Sequence, residues 1–470
     1  MNVTETDLLA IGGGTAGLVS AAGAAYLGAG ATLVEKTALG GDCLWTGCVP
    51  SKALLASARL AQAMRNAEAL GLEGLSPRIA TERVMERMRA ARRKVAHHDD
   101  PQRFRDMGVD VRFGSARFVS RDTVEVEGVG RFRSRRIVLA TGALPVTPPV
   151  PGLEETGYLN HHSVFELEAL PRSVVVMGGG PIGLEFSQIF RRLGAEVTVV
   201  EMLPRILPRE DEDLAQMLQG FLEREGIRFH LRTRATQVSR VGDEVRVETD
   251  AGVTAAAEAV FVATGRRPAI EGLELERAGI ETERGAVVVD GTLRTSNRRV
   301  WAAGDVTGGL QFTHVADAMA KTVLRNALLP GSSRMRYDHV PWVTYTDPEL
   351  AHIGLTEEEA QDHGGKTYVY DLSDLDRAIV DGTAEGMVKI SADGRGRILG
   401  ASILGHQAGE LIMPLVLART HGLTLPKISG TIFPYPTMVE GVKRASDAYQ
   451  RARLQGLGGR VLRRVVSWLT

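Results

Sequence analysis

The chain has 470 residues and two cysteines, Cys43 and Cys48, five positions apart in the run Gly40-Gly41-Asp42-Cys43-Leu44-Trp45-Thr46-Gly47-Cys48-Val49-Pro50-Ser51-Lys52. Two cysteines cannot build a disulfide scaffold, so an isolated close pair points to redox chemistry or metal binding. Two thiolates make an incomplete zinc site, and no histidines stand at the spacing that would complete one. The redox reading leads. Residues five apart in a regular helix rise about 7.5 Å along its axis, whereas disulfide-bonded Cα atoms rarely exceed about 7 Å. A bridge here requires a distorted turn and would be reducible. A thiol near a helix start also has its pKa lowered toward thiolate. The alternative is two reduced cysteines packed as small hydrophobes.

The elements that must position this pair come from a signature that occurs twice. A short apolar strand at Asp7 to Ile11 leads into Gly12-x-Gly14-x-x-Gly17, a helix of small residues, a strand at Ala31 to Val34, and Glu35. The second copy runs from a strand at Ser173 to Met177 through Gly178-x-Gly180-x-x-Gly183 and a helix to a strand at Glu196 to Val200 and Glu201. In each copy the first glycine permits the tight turn, the second lets backbone approach a pyrophosphate, and the third lets helix pack on strand. The helix N-terminus faces the phosphates, and the acidic residue can accept from a ribose hydroxyl pair. Residues Leu8 to Val34 lack charge and are long enough to suggest a membrane span. Their seven glycines argue instead for a buried strand, a turn and a closely packed helix.

Ala140-Thr141-Gly142 and Ala263-Thr264-Gly265 each close an apolar strand, and Trp301-Ala302-Ala303-Gly304-Asp305 returns after the second unit. The predicted organisation is therefore α/β, with two Rossmann-like nucleotide domains and a C-terminal α+β domain. Residues 1–150 begin the first nucleotide domain, 151–269 form the second, 270–335 complete the first, and 336–450 form the interface domain. In that last domain, strands are expected at Trp342 to Tyr345, Gly386 to Ile390 and Ile398 to Leu404, with helices at Thr356 to Asp362 and Ala408 to Thr420. A formal net charge of -1 with 24% charged residues gives no global pull toward nucleic acid.

These motifs resemble the class I pyridine nucleotide-disulfide oxidoreductases over essentially the whole chain. The match runs in order through both glycine motifs, Cys43 to Lys52, Gly265-Arg266-Arg267-Pro268, Gly304-Asp305 and Thr346-Asp347-Pro348-Glu349. The resemblance implies that Gly12, Gly14, Gly17 and Glu35 hold the ADP half of FAD and that Asp305 binds its ribityl and phosphate region. Gly41, Ala116, Thr141, Gly142, Gly265 and Gly304 are further implied cofactor contacts. It implies that Gly178, Gly180, Gly183 and Glu201 hold the nicotinamide cofactor. Lys52 and Glu185 match an ion pair beside the flavin, Cys48 the thiolate that meets the flavin ring, and Cys43 the thiol that exchanges with substrate. A cytoplasmic homodimer is implied, with the last domain of one subunit completing the other's active site. Glu201 favours NADH by repelling a 2′-phosphate, while nearby Arg205 leaves NADPH open.

The acceptor is read from Phe433-Pro434-Tyr435-Pro436-Thr437-Met438-Val439-Glu440. In the dithiol and glutathione branches a histidine precedes Pro-Thr and pairs with the glutamate. Tyr435 stands there instead, and a phenol, with a pKa near ~10 against ~6.5 for imidazole, is a poor base at neutral pH. Tyr435 followed by Thr-Met-Val-Glu-Gly resembles the mercuric reductase branch, in which Cys43 and Cys48 would be the transient soft ligands of Hg(II). The sequence departs from that branch in lacking an N-terminal metal-binding module and a terminal cysteine pair. Asp42, Trp45 and Thr46 depart from the commonest motif. Dihydrolipoamide and quinones are the alternative acceptors, and a flavin–disulfide redox sensor is the non-enzymatic one. Residues 451–470 place Arg451, Arg453, Arg460, Arg463 and Arg464 among Leu457, Val461, Leu462, Val465, Trp468 and Leu469, a basic amphipathic tail suited to an anionic membrane or to packing on its own dimer.

Overall fold

The computed structural model describes residues 3–469; Met1, Asn2 and Thr470, at the ends of the predicted first domain and tail, lie outside the described residues. The first glycine motif sits in a five-stranded sheet, all parallel, in the order Val300–Ala302, Ile137–Leu139, Leu8–Ile11, Ala31–Glu35, Val109–Phe113. Leu8–Ile11 is buried throughout, as a central parallel strand covered on both faces must be. Helix α1 (Thr15–Tyr26) follows it, so the uncharged run from Leu8 to Val34 is strand, helix and strand. Among the described residues no helix is long and apolar enough to cross a membrane.

The second glycine motif has a matching four-stranded parallel sheet in the order Arg228–His230, Glu196–Val200, Ser173–Met177, Ala259–Val262. The two sheets are joined by a small antiparallel pair, Ala143–Pro145 with Arg266–Pro268. These are the points at which the chain leaves the first unit and returns to it. Between the motifs run two helices that carry the cysteines, α2 (Gly41–Trp45) and α3 (Cys48–Arg65). Helix α3 packs against α4 (Pro181–Arg192), the helix after the second glycine turn, which brings the two units together at the cysteines.

The last domain is a five-stranded antiparallel sheet in the order Pro341–Thr344, Glu349–Gly354, Ile398–Gly405, Met387–Ala392, Lys366–Asp371. Thr356 caps Glu357–Asp362 with a full capping box, its hydroxyl accepting from Glu359 N and its own N–H donating to the Glu359 carboxylate. The single helix expected at Ala408 to Thr420 is two, Ala408–Leu411 and Met413–Thr420. Pro414, which lacks an N–H, lies in the first turn of the second, where that donor is dispensable. The chain closes with α5 (Glu440–Gln455) and α6 (Leu457–Leu469). On α6, Val461, Leu462, Val465, Trp468 and Leu469 are exposed; the side chain of Leu457 lies outside the description.

Candidate active site

The cysteine turn is distorted in the way its spacing demands. Helix α2 ends at Trp45 and α3 starts at Cys48, so Cys43 lies inside one helix and Cys48 is the first residue of the next. At the break, a Cβ on Gly47 would stand 2.8 Å from the Asp42 carbonyl oxygen, which makes glycine necessary there. Both thiols are free in this structure. Their protonation is unequal. A hydrogen bond from Cys43 pulls the Cys48 thiol down to about 6 against the opposing effect of burial, with Thr313 and the charge of Lys52 adding to the lowering. The same hydrogen bond, with burial, pushes the Cys43 thiol far up. The proton stays on Cys43 and the negative charge on Cys48. Thr313 Oγ1 lies 3.4 Å from Cys48 Sγ. It is the first residue of the long helix Thr313–Leu328, whose N-terminus favours an anion.

One turn further along α3, Lys52 Nζ lies 2.7 Å from Glu185 Oε2, which comes from α4. Burial opposes the ammonium charge, but the carboxylate beside it outweighs burial and holds the Lys52 pKa above its ordinary value. The other Glu185 oxygen accepts from the backbone N–H of Tyr345 at 3.0 Å, and the Lys52 ammonium stands 4.2 Å from the centre of the Tyr345 ring. The lysine is thus held by an ion pair and an aromatic face from two different domains. Arg59 of α3 makes a similar tie to Glu349 at 2.7 Å.

The two glycine turns are built alike. Glu35 accepts from Gly13 N at 2.6 Å and Thr37 N at 2.8 Å; Glu201 accepts from Gly179 N at 2.5 Å and Leu203 N at 2.7 Å. Gly12 and Gly178 have φ of 109° and 114°, and a Cβ on either would strike the carbonyl oxygen of Ala140 or Ala263. Gly17 and Gly183 serve packing: a Cβ would come within 1.8 Å and 2.0 Å of the Gly12 and Gly178 oxygens. Arg205 spends its guanidinium on the backbone oxygens of Leu207, Pro208 and Glu210.

A cavity of about 3290 Å³ connects these features. It is lined by Gly12, Gly14, Glu35, Gly41, Cys43, Cys48, Lys52, Ala116, Thr141 and Gly142 from the first unit and its cysteine helices. Gly178, Gly180, Glu185, Glu201, Gly265, Gly304 and Asp305 complete it. Gly17 and Gly183 lie behind the wall. Tyr435 and Glu440 are elsewhere. The Tyr435 side chain is exposed and donates to Asp376 Oδ2 at 3.1 Å, while buried Glu440 sits at the start of α5, 3.5 Å from Thr437 N. Neither lines this chain's cavity.

Several residues at the site were not singled out by the sequence reading. Arg266 bridges Asp42 and Asp305, with 3.1 Å to the latter, so Asp305 is committed to an ion pair within the chain. Tyr345 and Thr313 also belong here. Their signals were present, since Arg266 lies within the matched Gly265 to Pro268 segment and Tyr345 adjoins Thr346 to Glu349, but their convergence was not encoded in any local spacing.

The cradle suits two dinucleotides. Among the described residues, neither α1 nor α4 carries a side-chain cap, so the N–H groups of their first turns, apart from Pro181 which has none, are open to phosphate where a glycine keeps the wall low. Residues 6–320 match the family model described as pyridine nucleotide-disulphide oxidoreductase, and residues 340–446 match the dimerisation domain of the same family. The chain is 34% identical to a mercuric reductase of Bacillus cereus over 94% of its length and 71% of that protein. It is 33% identical to a dihydrolipoyl dehydrogenase of Bacillus subtilis, covering 95% and 98%. A solved Cu(II) complex of the HOCl-induced flavoprotein disulfide reductase RclA from Escherichia coli superposes with a TM-score of 0.86 at 30% identity, covering 96% of this chain and 99% of that one. With a redox-placed cysteine pair between two nucleotide turns and both family domains matched in order, the chain belongs to the pyridine nucleotide-disulphide oxidoreductases, enzymes that use FAD and NAD(P)H.

Proposed function

We propose that this enzyme reduces a thiolate-bound soft metal ion, Hg(II) in the first instance, at Cys43 and Cys48 with electrons from NADH. The observation that carries the reading is the absence of an imidazole beside Glu440: Tyr435 is engaged with Asp376 and offers a phenol in place of a base. Reduction of a disulfide substrate needs a group that moves a thiol proton, whereas a metal needs two sulfur ligands and no such base. Bound FAD supplies the two-electron relay between nicotinamide and the cysteines.

The residues divide the work. Gly12, Gly14 and Glu35 hold one dinucleotide, and Gly178, Gly180 and Glu201 the other. Lys52 and Glu185 fix the charge where the nicotinamide meets the flavin. Cys48 carries the thiolate, and half-buried Cys43 exchanges ligands with the incoming metal. The overall balance is NADH, one proton and a bis-thiolate Hg(II) complex giving NAD⁺, Hg(0) and two thiols. The engagement of Arg205 by loop carbonyls supports NADH, since that guanidinium is turned away from a 2′-phosphate. The matched dimerisation domain supports a homodimer in which Tyr435 serves the partner's site.

A second reading of the same pair is Cu(II), favoured by the solved Cu(II) complex of RclA. It would take one electron per ion, hence two ions per NADH. The test is anaerobic reduction of the FAD-loaded enzyme with NADH, followed by Hg(II), Cu(II), dihydrolipoamide with NAD⁺, or a soluble quinone. Steady NADH oxidation driven by Hg(II) and abolished by Cys43→Ser is expected. Turnover with dihydrolipoamide or quinone alone overturns the metal assignment and leaves the family intact.

A further inference from the structure

On the wall of the same cavity, beside the cysteine turn but distinct from the thiols, three donors converge. Asp42, His161 and His162 each offer a ligand atom, and these atoms lie within 4.8 Å of one another. The Nε2 atom of buried His161 has no hydrogen-bond partner, and that of His162 meets only the Asp42 carboxylate. Buried polar atoms are almost always satisfied, so the unpartnered imidazole nitrogen of His161 calls for an explanation. His162 Nε2 stands 3.5 Å from Asp42 Oδ1, and the two imidazole rings meet edge to face with centroids 4.7 Å apart.

The backbone holds this arrangement in place. Leu159 is pinned to the second nucleotide sheet by hydrogen bonds with Val260 and Val262, both 2.7 Å. The Asn160 side chain then accepts from the N–H groups of His162 and Ser163, forming a tight turn that presents both rings on one side. Phe165, fully buried, anchors the far end. On the other side Asp42 lies in the first turn of α2, with Oδ1 3.2 Å from the Thr46 hydroxyl and Oδ2 on Arg266.

The local charge is mixed, since the Arg266 guanidinium that pairs with Asp42 also acts on His161. Arg266 is the cation paired with both Asp42 and Asp305, so one positive group faces two carboxylates. Two imidazoles and one carboxylate suit zinc(II), copper(II) or nickel(II) rather than the all-oxygen ions. Three donors at about 2.1 Å from one tetrahedral ion stand ~3.4 Å apart, so the widest pair of the cluster must close by up to ~1.4 Å. Asp42 and His162 are only half-buried and can turn.

We propose that Asp42, His161 and His162 form a binding site for a divalent transition-metal ion, separate from the Cys43–Cys48 pair and adjoining it through α2. The site does not depend on which acceptor the enzyme uses. It is tested on the FAD-loaded enzyme in its oxidised state, where the disulfide removes both thiols as ligands. Copper(II) alone, added without reductant, is expected to bind at one ion per chain with nitrogen hyperfine splitting from two imidazoles in its electron paramagnetic resonance spectrum. Zinc(II) is expected to compete with it. His161→Ala and His162→Ala should each lose one nitrogen coupling, and Asp42→Asn should weaken binding at least ~10-fold, while a double variant carrying both Cys43→Ser and Cys48→Ser leaves all three signatures intact. FAD content and thermal unfolding check that each variant is folded. Absence of copper binding to the oxidised wild type overturns the proposal without need of any variant. So do binding that survives both histidine substitutions, and loss of FAD from the histidine variants in an enzyme that takes no metal, which would make the imidazoles cofactor contacts.

Discussion

The two ends of the electron path are built differently. At the cysteine turn, Cys48, Lys52, Glu185 and Tyr345 interlock within one chain, with an ion pair of 2.7 Å and a ring 4.2 Å from the ammonium. At the proposed acceptor end, the Tyr435 side chain is exposed and donates to Asp376, while Glu440 is buried. The first set of contacts is complete in a single chain, whereas in the proposed homodimer the second would be completed by the other copy. Reductive chemistry needs charges fixed to fractions of an ångström, which internal packing provides. Acceptor choice can be left to a more exposed surface whose residues change without disturbing that packing.

Substitutions that break the first end should have the largest effects. Cys48→Ser is expected to abolish metal-dependent NADH oxidation while leaving oxidation by artificial dyes, measured by steady-state absorbance. Glu185→Gln should slow reduction by NADH about 100-fold in stopped flow, because Lys52 loses its counter-ion and position, yet leave the number of reduced thiols unchanged. A drop in thiol count instead would mean that the pair is structural.

The pH dependence sharpens the contrast between the two cysteines. The Cys48 thiol is depressed to about 6, so thiolate is present above that pH and is lost as pH falls through it. Long-wavelength absorbance of the two-electron-reduced enzyme should therefore rise with a midpoint near pH 6. Cys43→Ala should move the midpoint upward by ~1 unit or more, since the hydrogen bond from Cys43 is the largest cause of the lowering. A midpoint unmoved by that substitution would assign the lowering to Lys52 and the helix start.

At the second end the effects should be smaller and confined to the acceptor. Tyr435→Phe is expected to lower metal turnover less than ~10-fold with no change in reduction by NADH, because the phenol lines a site rather than moving a proton. Tyr435→His would place an imidazole beside Glu440 and should raise dihydrolipoamide turnover in the NAD⁺-linked assay. If it does not, the branch is decided elsewhere. The mildest effect concerns α6. Its exposed apolar face and Arg460, Arg463 and Arg464 predict co-sedimentation with anionic liposomes that a chain ending at Gln455 has lost, with NADH oxidation unaltered. Equal sedimentation of the two chains would return α6 to packing on its dimer.

Much of the fold was legible because its signals are local. The strands Ser173–Met177 and Glu196–Val200 lie where apolar runs and glycine turns placed them, since a parallel strand covered on both faces must be continuously apolar. The expected helix from Ala408 to Thr420 missed its break at Ile412, a single residue that keeps right-handed helical dihedrals just before Pro414, which has no N–H to continue the ladder. Asp305 was expected to face the cofactor, and its pairing with Arg266 could not be read from either segment alone.

By itself the sequence determined the chemistry available: a cysteine pair that demands a broken helix, two glycine turns that leave room for phosphate, and a tyrosine where a base would stand. Each follows from covalent geometry or side-chain pKa over a few residues. Only the tertiary structure decided which groups meet. It brings Glu185 to Lys52 across 133 positions and Thr313 to Cys48 across 265. It also turns Arg266 onto two carboxylates and sets His161 and His162 against Asp42. Burial makes those meetings consequential, because a charge or a thiol taken out of water takes its protonation state from whatever the fold has placed beside it.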